Sequence, residues 1–252
     1  MDNEKIKIIY EDENLLVIDK PPGIIVFPEN ERDRKKETLI DLLLKEFPYL
    51  KNVGDSPRYG IIHRLDKDTS GILLVAKNNQ SLEFFQNQLF LSSKNSYSED
   101  RGKESLIKKY LALVVGSFKK NEGKIETLIG RSPNDPRKQK VYLPCDPDSK
   151  GKRKTVTCFK VLKRFEKYSL IEVTIKTGRK HQIRTHLSYL GHPIAGDKIY
   201  GFKNQPIPKT LKRQFLHSGY LKIRMPNGEE KEFFSELPNE LKKVIQELNP
   251  VK

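Results

Sequence analysis

No apolar run in this 252-residue sequence approaches the roughly 20 residues that a membrane helix needs. Cysteine is scarce. Cys145 and Cys158 are too few for a disulfide framework or a cysteine zinc site. Glycine-rich phosphate loops are missing, with neither a GxGxxG nor a Walker sequence. His181 and His186 are spaced so that they do not share a helix face, and no glutamate base stands between them, which argues against zinc-protease chemistry. The acid-rich start, MDNEKIKIIYEDENLLVIDK, has neither the basic-then-apolar order of a signal peptide nor the acid-poor character of a transit peptide. A cytosolic protein with both thiols reduced, and no membrane partner, is expected.

What the chain has is charge. Hydrophobic residues make up 36% and charged residues 32%, which fits a well-solvated globular protein of one large or two small domains. The net charge of +15 is uneven. Residues 1–50 hold 8 basic and 12 acidic side chains, so the remainder carries 40 against 21. Segment 131–167 alone has 12 basic and 4 acidic residues. A basic surface of this kind favours a polyanion partner, because each phosphate neutralised releases counterions.

Along the chain, IKIIYEDENLLVIDKPPGIIVFP reads as short strands broken by an acidic turn and by Pro21-Pro22-Gly23. TLIDLLLKEF (38–47) reads as a helix with Thr38 as its N-cap. GILLVAK is a strand apolar on both faces, hence central in a sheet, and NQSLEFFQNQLF is a helix. Residues 92–105 are polar and read as a linker. KKYLALVVG (108–116) is a strand with Tyr110 at its mouth. Residues 131–154 read as a long Pro/Asp/Lys-rich connection. TVTCFKVLKRF and YSLIEVTIKT pair as a hairpin, Ile171, Val173 and Ile175 alternating in the second strand. KHQIRTHLSYLG is a helix closed by Gly191, with Ile183, Leu187 and Leu190 as its buried stripe and Arg184 near the rim. QFLHSGYLKIRMPNGEEKEFF is a hairpin with Asn227-Gly228 at its tip, and LPNELKKVIQEL a terminal helix. Mixed order, more strands than helices and mostly hairpin links argue an α+β fold.

RYGIIHRLDKDTSG (58–71) concentrates the chemistry. Asp66 and Asp68 could be paired carboxylates or metal ligands, as in a nuclease. His63, Arg64 and Lys67 crowd them, however, and cations compete with a metal for the same oxygens. Asp66 as a lone carboxylate fits better, since a neighbouring arginine keeps it ionised even when partly desolvated. Such a group can serve as nucleophile or base. The alternative is a turn aspartate capping a backbone amide.

HRLDKDTSG, KKYLALVVG, TGRKHQIRTHLSYLGHPIAGDKIYG and FLHSGYLKI, in this order, resemble the pseudouridine synthases of the RluA family, as does LLVIDKPPGIIVFP near the start. The resemblance spans roughly residues 6–225. It implies a mainly antiparallel central sheet flanked by helices, in a single catalytic domain over 1–252 without the S4-type RNA-binding domain of many relatives. It implies an isomerase that turns uridine in RNA into pseudouridine, with no metal or organic cofactor. By the family's motifs the essential aspartate maps onto Asp66, the tyrosine that packs on the target base onto Tyr110, the arginine that pairs with the aspartate onto Arg184, and the arginine at the flipped nucleotide onto Arg64. The substrate is expected to be a structured RNA, ribosomal RNA ahead of tRNA, and the protein a monomer. A binding-only relative that keeps the fold without the chemistry is the competing class. It would have no need of all these residues together.

Overall fold

The computed structural model describes residues 6–31, 33–95 and 106–251. In chain order the elements are β1 (Lys7–Glu11), β2 (Leu15–Lys20), α1 (Leu39–Glu46), β3 (Ser70–Ala76), α2 (Asn79–Asn95), β4 (Ile107–Val115), β5 (Glu122–Arg131), β6 (Gln139–Tyr142), β7 (Arg153–Arg164), β8 (Tyr168–Ile175), α3 (Gln182–Tyr189), β9 (Leu216–Arg224), β10 (Glu230–Phe234) and α4 (Asn239–Gln246). They fall into two compact units. One takes in the chain up to Lys94 together with Ser218–Glu236; the other takes in Ile107–His217 and the chain from Leu237 on.

In the first unit β1, β2 and β3 form an antiparallel meander. Asp12 closes its first turn, accepting the N–H groups of Asn14 and Leu15 at 2.8 and 2.7 Å. β9 follows β3, and β10 folds back antiparallel on β9. Leu15–Ile18 of β2 and Ile72–Ala76 of β3 are fully buried, as expected of strands apolar on both faces. Each large aliphatic side chain so buried contributes on the order of 2 kcal/mol. α1 starts where Asp41 accepts both the backbone N–H and the hydroxyl of Thr38, at 2.9 and 2.7 Å. Gln88 of α2 bonds the backbone of Arg224 through both ends of its amide.

The second unit orders its strands β4-β8-β7-β5-β6, each neighbouring pair antiparallel. α3 packs on β6 and β7. The chain after α3 returns to β4, where Val115 N–H donates to Pro193 O and Ala195 N–H to Leu113 O.

Four expectations are corrected. Segment 131–154 is not one long connection: it contains β6, a 3-10 turn at Pro147–Ser149 and the first residues of β7. β5 was not anticipated at all, although Ile125, Thr127 and Ile129 alternate inward along it. Ser92–Asn95 belong to α2, and the rest of the 92–105 linker lies outside the described residues. In α3, Leu190 is 37% exposed, and every residue from Gln182 to Leu187 is buried, Arg184 included. A helix whose first six residues are all buried, polar ones included, has no single apolar stripe to read.

Candidate active site

The loop that carries Asp66 is fastened at both ends to the first unit. Ile62 N–H donates to Leu74 O, and Leu74 N–H in turn donates to His63 Nε2 at 3.2 Å. The His63 ring therefore accepts through Nε2 and holds the loop against β3. Beyond Asp66, Thr69 N–H donates to the Asp66 carbonyl and closes a turn. Lys20 reaches the same turn from the end of β2. Its Nζ donates to Pro21 O, Ile24 O and Lys67 O at 2.7, 3.0 and 3.1 Å. Gly23 N–H donates to Lys67 O as well. Lys20 is fully buried, so its charge is met by oriented carbonyl dipoles. Gly71, the second residue of β3, has φ +112°, and an added Cβ there would collide with the Ser218 carbonyl.

Arg64 is half-buried, ion-paired with Glu29, its guanidinium 5.7 Å from the centre of the Phe27 ring. Burial lowers the pKa of Arg64, and the negative charge of Asp66 opposes that shift. The carboxylate and the arginine thus sense each other, as the crowding of charges in the sequence suggested. Arg58 lies over the same Phe27 ring, at 5.2 Å. Sequence reasoning passed over Lys20, Phe27 and Glu29. A lysine ending an apolar strand just before Pro-Pro-Gly was the available signal for the first.

Tyr110 and Arg184 lie in the second unit. Tyr110 is the fourth residue of β4, 6% exposed. Arg184 grips Asp197 with two bonds, Nε to Oδ2 at 2.7 Å and Nη2 to Oδ1 at 2.9 Å. Asp197 Oδ1 also accepts the N–H groups of Ile199 and Tyr200. The Tyr200 ring lies under the guanidinium, 5.0 Å from its carbon. Two parallel charge-assisted bonds inside a buried setting fix the plane of the arginine. Asp197 went unremarked within GHPIAGDKIYG, though a buried arginine calls for a buried anion.

α3 and the turn before it are set by two polar clusters. Gln182 Oε1 accepts the Thr177 hydroxyl and the Arg179 N–H, at 2.8 and 3.0 Å, and its Nε2 donates to Val156 O and Thr157 Oγ1. His181, at φ +55°, contacts the Tyr200 hydroxyl through Nδ1 at 2.9 Å. His186 is caged by Thr127, Thr155 and Thr157. Thr157 Oγ1 accepts from Gln182 Nε2, which leaves its own hydroxyl proton to donate to Nδ1; the Thr155 hydroxyl donates to Thr127 O, which leaves Thr155 Oγ1 to accept from Nε2–H. The ring is neutral, and burial lowers its pKa to about 4.

The model of the RNA pseudouridylate synthase family matches residues 14–189, which include Arg64, Asp66, Tyr110 and Arg184. The chain belongs to that family. It is 36% identical over 246 residues to an RNA pseudouridine synthase of Bacillus subtilis, spanning 96% of this chain and 73% of the relative. It is 36% identical over 248 residues to the ribosomal large subunit pseudouridine synthase D of Nitrosomonas europaea, spanning 96% of this chain and 64% of that one. The fold resembles the human RNA pseudouridylate synthase domain containing 1, with a TM-score of 0.71, 26% identity, and 98% and 89% of the two chains covered. As in those domains, the pseudouridine synthase fold here combines antiparallel strands with a few helices. Members of the family are isomerases acting on RNA.

Proposed function

We propose that the chain isomerises uridine to pseudouridine in a structured RNA, with Asp66 as the catalytic carboxylate. The observation that carries this reading is the tethering of the Asp66 turn. A buried lysine and the Gly23 amide both hold the Lys67 carbonyl, and the His63 side chain accepts the Leu74 N–H and so fastens the loop to β3, in a chain whose family model covers that turn. Such fastening suits a reaction in which one carboxylate must meet a ribose carbon with little freedom.

The remaining roles follow from the family's motifs. A base inside a stacked helix is out of reach, so the uridine is flipped out or taken from a loop, at a cost of a few kcal/mol. Arg64 acts at the extruded nucleotide, where its anion partner Glu29 gives way to phosphate. Tyr110 receives the base, because stacking holds a ring without fixing its in-plane angle, and the base must turn to present C5. Arg184, its plane set by Asp197, serves as counter-ion to Asp66. Ribosomal RNA is the proposed substrate, supported by the relatives named for the large ribosomal subunit. The proposed protein is a cytoplasmic monomer with one catalytic domain.

The test is to map pseudouridine in total RNA from cells with and without the gene, and after complementation with Asp66→Asn. Sites that vanish on deletion and return with the wild type, but not with the Asn variant, are expected. Sites in tRNA alone would overturn the ribosomal assignment. An Asn variant that restores them would remove Asp66 from the chemistry.

A further inference from the structure

One aromatic ring carries two arginines. Phe27, buried in the chain between β2 and α1, has the Arg58 guanidinium carbon 5.2 Å from its ring centre and that of Arg64 5.7 Å from the same point. These distances add to 10.9 Å, so the two guanidinium carbons are no further apart than that. The side chains differ in their surroundings. Arg64 is half-buried and meets Glu29. Arg58 is exposed, so its charge faces solvent. Contact with a ring steadies a guanidinium and leaves its N–H fork for an oxyanion. The backbone under Arg58 is held as well. Asp55 O accepts the N–H groups of both Arg58 and Tyr59, at 2.9 and 2.8 Å, and Arg58 O accepts the Ile61 N–H. Gly60 O accepts the Ala76 N–H, and an added Cβ on Gly60 would come within 2.3 Å of Ala76 O, so the turn is pressed onto the end of β3. Tyr59 sits at φ +46°, a left-handed conformation uncommon for a bulky residue.

An arginine kept only for solubility needs neither a ring beneath it nor a clamped turn behind it. Backbone strain like that of Tyr59 gathers at sites that hold a ligand. We propose that Arg58 binds the phosphodiester next to the one that Arg64 meets at the extruded nucleotide. Phe27 is the common seat that sets the spacing of the two grips. This rests on the proposed function for the place of Arg64, and adds to it a second anchor on the same strand. Phosphate contacts of this kind set register without reading sequence. Flipping turns a nucleotide about its backbone, so a backbone held at two neighbouring phosphates favours the flipped state. Arg58 therefore acts on the rate as well as on affinity.

The experiment pairs two readouts. Binding of a short oligouridylate is measured at several salt concentrations. Single-turnover rates are taken at saturating enzyme, on a transcript carrying a uridine mapped by the gene deletion. Arg58→Ala should melt within about 2 °C of wild type, because only an exposed side chain is lost. It should bind oligouridylate several-fold more weakly, with a slope of log K against log salt shallower by about 0.7. Its saturated rate should fall by about tenfold, as a strand held at one point is misplaced at the other. Arg58→Lys keeps the charge and loses the fork, so it should keep the slope and recover only part of the rate. An unchanged salt slope in Arg58→Ala takes phosphate away from Arg58 and overturns the proposal. Weakened affinity with an intact saturated rate overturns it too, since Arg58 would then be a surface charge remote from the nucleotide. A wild type that forms no pseudouridine sinks the parent reading and this one with it. An active wild type that Arg58→Ala matches in both slope and rate sinks the Arg58 site alone.

Discussion

At the scale of the residue, Asp66 and His186 show opposite uses of a titratable group. Asp66 sits partly exposed on a loop, where a charge can meet substrate. Asp66→Asn keeps the shape and removes the charge. Pseudouridine formation should fall to background while RNA affinity stays within about twofold, as a phosphate-dominated binding energy implies; single-turnover rates beside a filter-binding curve check both. His186 is sealed among threonines and stays neutral. Its pKa is about 4 in the fold against 6.5 unfolded, so between those values the unfolded chain binds a proton that the folded chain does not. Stability is therefore lost as pH falls from 6.5 toward 4, by about 3 kcal/mol from this group alone. Urea unfolding at pH 7 and pH 4.5 measures the loss, and His186→Asn should flatten the difference. A variant that keeps the full pH dependence would place it elsewhere.

Among elements, the loop 61–70 depends on one side chain outside it. Lys20→Met removes the donor shared by Pro21 O, Ile24 O and Lys67 O. The buried carbonyls left behind cost about 3 kcal/mol, and the Asp66 turn loosens. Chemical denaturation should register the cost. The saturated single-turnover rate should fall by more than tenfold with affinity nearly unchanged; a rate equal to wild type would detach the turn from catalysis. Strong local signals made many elements legible beforehand. Thr38 marked the start of α1, Asn227-Gly228 the β9–β10 hairpin, and the uninterrupted apolar run β3. β5 escaped because its inward positions include Thr127 and its outward ones are charged, which thins the alternation. β6 escaped because four residues among prolines and lysines carry almost no period. The family's motif residues were read from the sequence as candidates, but the side chains around them were not. Lys20 had a local signal in the strand end before Pro-Pro-Gly, whereas Glu29 and Asp197 act through contacts with Arg64 and Arg184 further along the chain, which no local pattern encodes.

For the whole molecule the dominant property is charge. The stretch from Gln139 to Arg164 forms β6 and β7 of the second unit and carries much of the excess. Lys140 and Lys152 both lie over the Tyr142 ring, at 5.1 and 4.8 Å, so part of this charge is held in place. Replacing Lys152, Arg153 and Lys154 by alanine should weaken RNA binding and flatten its salt dependence by up to about two units. The rate at saturating enzyme should hold within about twofold, since none of Asp66, Tyr110 and Arg184 is altered. Binding curves at several salt concentrations beside single-turnover kinetics decide; an unchanged slope would turn this face away from RNA. The order of the two units along the chain has a consequence for synthesis. The first unit opens at the N-terminus but lacks β9 and β10 until Glu236 has been made, and the second lacks α4 until after that. While the ribosome is still translating the second unit, the emerging β3 has no β9 beside it and shows an unpaired apolar edge. A nascent chain stalled before Ser218 should be protease-sensitive and chaperone-bound, and both units should become protected only in the last stretch of elongation.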